Sequence, residues 1–195
     1  MKNINLEQAF ENLINNHTIL NYEKDGAFYF LEIPNYPSLE LLVDYKFFPT
    51  INIVGKSKGF DINKENLKKL LFSYILTDNI NHKIVEGSDM IGKWIFELRN
   101  NHSDSDNEGM LTATGKFTYI AEITNNASIE SLETFFKSAI QTFLLTRNRL
   151  SLFADTPEND ITYNLLGFTE DSEFSNIEVN PDFERFLEKF KKGDI

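Results

Sequence analysis

Phe117-Thr-Tyr-Ile-Ala-Glu-Ile-Thr-Asn-Asn-Ala-Ser-Ile-Glu-Ser-Leu-Glu-Thr-Phe-Phe-Lys-Ser-Ala-Ile-Gln-Thr-Phe-Leu144 contains the change of rhythm that decides the fold. In its first part Phe117, Tyr119, Ala121 and Ile123 alternate with other residues, the period of a strand with one buried face. After Ser128 the period lengthens. Leu132, Phe135, Phe136, Ala139, Ile140, Phe143 and Leu144 recur at three- and four-residue spacing, which predicts a helix capped by Ser128 and running toward Leu150. A strand that turns tightly into a long amphipathic helix is one layer of sheet laid against one layer of helix. The strand is expected to begin at Met110 and to bend at Gly115.

Working toward the N-terminus, Lys93 to Leu98 reads as a strand carrying the single Trp94, and His82 to Glu86 as a shorter one. A helix is predicted from about Lys64 to Thr77, capped by Asp61 or Asn63. Leu67, Leu70, Leu71, Tyr74 and Ile75 would be buried, and Lys64, Lys68 and Lys69 turned to solvent. Three strands precede it. Ala27 to Ile33 ends at Pro34, Leu39 to Tyr45 alternates, and Ile51 to Val54 ends at Gly55. Leu6, Ala9, Phe10, Leu13 and Ile14 form one face of a first helix, from Asn5 to about His17, with Asn5 and Gln8 as a capping pair. The order, helix, three strands, helix, up to three strands, helix, predicts an α+β domain over residues 1–154, an antiparallel sheet with flanking helices.

Past Ala154 the composition changes. Residues 155–184 hold nine acidic residues and no Lys or Arg. A last amphipathic helix is then expected: Asn180 as cap, Pro181 at its first position, Phe183, Phe186, Leu187 and Phe190 on one face, and Lys191 and Lys192 before Gly193. Residues 155–195 therefore read as an acidic extension that folds back on the same domain, with docking on a partner as the alternative.

Charge narrows the partners. The chain of 195 residues carries a formal charge of −11, which repels nucleic-acid backbones and anionic lipid and suits a basic protein partner or simple solubility. No cysteine is present, so disulfides, thiolate metal sites and a cysteine nucleophile are excluded. The N-terminal residues follow helical spacing rather than a signal-peptide pattern, and no apolar run is long enough to span a bilayer, so a cytoplasmic location is expected. Eighteen Phe against one Trp and three Met point to a phenylalanine-rich core or an apolar contact surface.

Catalytic signatures are missing from the pattern. Asp104-Ser-Asp-Asn-Glu-Gly109 resembles the front half of a calcium loop, but Gly115 stands where the closing bidentate Glu belongs. His17, His82 and His102 are each read as lacking a second His or a carboxylate at the i, i+3 or i+4 spacing of a helical metal site. Gly55-Lys56-Ser57 lacks the upstream glycine of a phosphate loop. No catalytic residue, cofactor or metal site is assigned.

The element order, with Leu67 through Asn79 as a central helix, the strands at Trp94–Leu98 and Phe117–Ile123, and the capped segment Ser128-Ile-Glu-Ser-Leu-Glu-Thr-Phe-Phe136, resembles the type III secretion chaperone-like fold, including the YbjN family. The likeness covers about residues 5–150. It implies a small, acidic, non-catalytic and often dimeric protein, hence a chaperone-like module holding a polypeptide segment. Phe183, Phe186 and Phe190 are candidate contacts for such a segment. An alternative expectation is an immunity- or antitoxin-like inhibitor that meets a basic protein through Glu170, Asp171, Glu173 and Glu178. A third is a small-ligand carrier or enzyme with an aromatic pocket between sheet and helices.

Overall fold

The structure is a computed structural model and describes residues 4–44, 50–63, 66–100 and 113–167. Helix α1 (Ile4–Asn15) leads into strands β1 (Asn21–Asp25), β2 (Phe28–Ile33), β3 (Tyr36–Asp44), β4 (Thr50–Lys56) and β5 (Phe60–Ile62). Helix α2 (Leu67–Glu86) follows, then β6 (Lys93–Asn100), β7 (Ala113–Thr124) and the long α3 (Ile129–Asp155). A 3-10 turn (Glu158–Asp160) and the short α4 (Tyr163–Leu166) complete the described chain.

All strand pairs are antiparallel. β4 and β5 lie end to end along one side of β7 and β6 lies along the other, so the sheet runs β1, β2, β3, β4 with β5, β7, β6. Two tight turns set the first registers. Gly26, at φ 58°, begins the two-residue link between paired Asp25 and Phe28. Asn35, at φ 65°, follows Pro34 in the link from Ile33 to Tyr36. Proline pre-sets the first turn position and asparagine tolerates the left-handed second one.

The helices α1, α2 and α3 cover one face of this sheet. Tyr29, Leu31, Leu41, Val43, Ile51, Ile53, Phe117, Tyr119 and Trp94 point into that side and are almost wholly buried. Phe10 of α1 meets Tyr29 and Phe136, Phe143 of α3 stacks on Trp94 at 5.5 Å, and Phe153 meets Phe60 and Phe117. Much of the aromatic surplus is therefore core filling between sheet and helices. Its polar handles are satisfied: the Trp94 indole donates to Thr146 Oγ1 (2.7 Å) and the Tyr119 hydroxyl to the Ile91 carbonyl (2.7 Å).

An α+β domain with an antiparallel sheet and flanking helices is what the residues predict and what they form. The counts differ: five strands precede α2 and two described ones follow it, in place of three and three. β1 escapes the pattern because only Tyr22 of Asn21-Tyr-Glu-Lys-Asp25 is apolar, and β5 because it has three residues. α2 does not stop at Thr77. It continues through Leu76, Ile80 and Ile84, all buried, so His82–Glu86 is its last turn and not a strand. Its N-cap position is Asn66, whose amide accepts from Asn63 N (2.7 Å) and donates to the Asp61 carbonyl (2.9 Å). Asn5 lies inside α1 and does not precede it. Ser128 does cap α3, accepting from Ser131 N.

Lys69 is the sharpest correction. It is buried, not turned to solvent, and its Nζ donates to the carbonyls of Ala154 (2.8 Å) and Thr156 (2.9 Å) at the C-terminal end of α3. The ammonium also sits 4.7 Å from the Phe60 ring centre. A cation at a helix C-terminus meets unpaired carbonyls and the negative end of the dipole. In return, Glu158 beyond α3 accepts the Lys69 backbone N–H in the first turn of α2 (3.1 Å). Burial pushes the ammonium below the usual lysine range, and the Asp155 and Glu158 carboxylates oppose that.

Candidate functional site

Strand alternation places a second set of side chains on the sheet face opposite α1, α2 and α3. The registers align Phe30 with Leu42, Leu42 with Val54, and Val54 with Ile120. One row of apolar side chains thus crosses four neighbouring strands, about 14 Å at the usual strand spacing. Glu23 stands beside Phe30 at the β1 end and Lys93 beside Ile120 at the β6 end. Phe28 and Ile95 extend the apolar patch in the flanking rows. All six apolar residues are half-buried, and none belongs to the core cluster. No described helix lies on them.

Polar groups frame the row asymmetrically. Asp25, Phe28, Asp44, Asn52 and Glu122 form the next row on one side. Asn21 and Glu32 stand at the β1–β2 end of the opposite row, with Lys56, Thr118 and Ile95 at its other end. The β1–β2 half is thus acidic, while edge strand β6 carries Lys93 and Arg99 beside Glu97 and Lys56 ends the interior strand β4. An apolar strip between charged borders can hold the apolar side of a polypeptide and orient it through its charges.

Other polar clusters bind the fold together. Glu7 of α1 accepts from the Tyr29 hydroxyl (2.8 Å) and from Lys24 Nζ (3.0 Å), clasping α1 to the β1–β2 hairpin. Burial, with the carboxylate beside it, pushes Tyr29 up to about 12. Asn81 of α2 makes both hydrogen bonds to the Trp94 backbone, accepting from its N–H (2.7 Å) and donating to its carbonyl (2.9 Å). Against the expectation for histidine spacing, His82 has Glu86 four residues on, and the two pair at 3.2 Å on the exposed surface of α2. Among the described residues no three His, Asp or Glu converge as a metal site would need. A shallow depression of about 480 Å³ lies along α3, lined by Ile91, Glu130, Ser131, Thr134, Phe135 and Ser138. The Ser131 hydroxyl there is already engaged with Ser128.

Phe183, Phe186, Phe190, Glu170, Asp171, Glu173 and Glu178 lie outside the described residues, as does the Asp104–Gly109 loop. Between α3 and Gly167 the chain is tied to α2 and α3. Asn79 donates to the Leu166 carbonyl (2.8 Å), and Arg149 Nε to the Leu165 carbonyl (2.8 Å). No described helix is long and apolar enough to cross a membrane.

The sheet face was not singled out from sequence, although a signal for it exists. A sheet covered on one side alone should carry polar residues at every second position, yet Phe28, Phe30, Leu42, Val54, Ile95 and Ile120 occupy those positions here. Compared with models of known protein families, with curated proteins and with solved structures, the chain matches none of them.

Proposed function

We propose that this protein is a non-enzymatic, chaperone-like module that holds an amphipathic polypeptide segment on the sheet face opposite its helices. One observation carries the reading: the in-register apolar row Phe30, Leu42, Val54 and Ile120, with an acidic half beside it. The type III secretion chaperone-like resemblance, drawn from element order, belongs to the same proposal and agrees with it in kind. The matching ligand presents three or four large apolar side chains on one side and basic residues toward β1 and β2. Helix docking on an apolar surface is the physical mode.

A peptide-display selection against the full chain tests this. Enriched sequences should be amphipathic with basic flanks, and Leu42→Lys or Val54→Lys should lower their affinity at least about 10-fold. Binding should also weaken with salt, since its charged component is exposed. Failure to enrich such sequences, or binding indifferent to both substitutions, would overturn the proposal.

A further inference from the structure

We propose that residues 180–192 of the same chain are the resident occupant of this sheet face, so that an external segment binds by displacing them. The inference rests on reading the face as a docking surface for amphipathic segments. Residues 180–192 lie outside the described part, and their sequence supplies what the face lacks: Phe183, Phe186, Leu187 and Phe190 at helical spacing. From Phe183 to Phe190 a helix rises about 10 Å, and the apolar row is about 14 Å long.

Connection and charge assign the same direction independently. The described chain ends at Gly167 against Asn79 and Arg149, and two residues beyond Asn79 on α2, Asn81 grips Trp94 of edge strand β6. Residues 168–179 reach at most about 40 Å when extended. Passing α2 and rounding the β6 edge needs roughly 30 Å, from a helix about 10 Å across and layers about 10 Å apart. A segment arriving this way crosses β6 first and finishes over β2 and β1. Its charges are ordered to match. Residues 180–185 carry Asp182, Glu184 and Arg185, a net −1, and residues 186–192 carry Glu188, Lys189, Lys191 and Lys192, a net +2. Where the segment would arrive, Lys93 and Arg99 outweigh Glu97 on β6 and Lys116 balances Glu122 on β7, so that side is net basic, whereas Glu23, Asp25 and Glu32 make the side where it would end acidic. The reversed placement would oppose both the connection and the charges.

The absence of native cysteine makes the test clean. Thr118→Cys, half-buried beside the row, is labelled with a benzophenone maleimide in the full chain and irradiated. The expected product is an intramolecular adduct in the peptide containing residues 183–190. An adduct with a second copy, or with any other part of the chain, overturns the proposal, as does none. Asn52→Cys on the adjoining row guards against a local labelling effect and should give the same product. The triple change Phe183→Ser, Phe186→Ser and Phe190→Ser should raise the affinity of a display-selected peptide at least about 10-fold by removing the tethered competitor. An unchanged affinity also overturns the proposal. If the adduct forms but no external peptide binds even the triple variant, the polypeptide-holding function falls and the resident segment stands. If peptides bind the face and no adduct forms, the reverse holds.

Discussion

Replacing Gly55 with alanine tests how closely α3 lies on the sheet. Gly55 is the point of β4 over which Phe143 passes. A Cβ built there would stand 2.4 Å from Phe143 Cε2 and 2.7 Å from Leu41 Cδ2. Carbon atoms rest about 3.5–4.0 Å apart, so the ring must retreat by roughly 1 Å. It has nowhere to go, because Phe143 is fully buried and lies against Trp94 and Tyr119, 5.5 and 5.7 Å away between ring centres. Overpacking of this kind costs about 3 kcal/mol at the upper end of its usual range. The restriction that alanine places on the unfolded chain returns about 0.5–1 kcal/mol. Gly55→Ala should therefore destabilise by about 2 kcal/mol and lower Tm by about 4–8 °C. Urea unfolding followed by Trp94 fluorescence and circular dichroism measures it. Phe143→Leu in the same chain should relieve the clash, leaving the double variant at least about 1 kcal/mol more stable than the two single losses predict. A Gly55→Ala variant within about 0.5 kcal/mol of the native chain, or strictly additive losses, would refute the packing argument.

Lys69→Met, which keeps the buried stem and removes the ammonium, should cost about 2 kcal/mol. Two charge-assisted hydrogen bonds are lost, and relief of the buried charge offsets part of that; urea midpoints give the value, and a neutral result would deny Lys69 its role at the end of α3. Asn81→Ala should cost about 1–2 kcal/mol and speed hydrogen exchange at the Trp94 amide, whose partner it removes. Alkaline pH should destabilise the fold. The buried Tyr29 keeps its proton to about 12 whereas an unfolded tyrosine loses it near 10, so the native state binds more protons in that window and stability falls as pH rises through it. Tyr22 and Tyr119 are raised in the same direction by burial. The step from 10 to about 12 for Tyr29 amounts to at most about 3 kcal/mol, and Tyr29→Phe should flatten the slope of urea midpoint against pH.

Legibility followed local periodicity. β2, β6, β7 and α3 read correctly because each carries its own alternation or three-and-four spacing, and Ser128 marks a helix start by chemistry alone. β1 has one apolar residue in five, and its strand character comes from pairing with β2. The second half of α2 does not read as helix because Asp78, Asn79, Asn81 and His82 dilute the pattern, although Leu76, Ile80 and Ile84 stand four apart beneath them. Lys69 reads as surface because the carbonyls that hold it belong to residues 85 and 87 positions away. The same reason hid the candidate site. Phe30, Leu42, Val54 and Ile120 are scattered over 91 positions of sequence, and the registers of three strand pairs make them neighbours.

The exchange between α2 and α3 bears on how the molecule breathes. Helix ends ordinarily fray on their own, each at a small free energy. Here the last carbonyls of α3 are held by Lys69 of α2, and the first turn of α2 is held by Glu158, which α3 delivers. Neither end can unwind without releasing the other. The two termini thus form one cooperative opening unit, and their amides should exchange with a shared protection well above that of a free helix end.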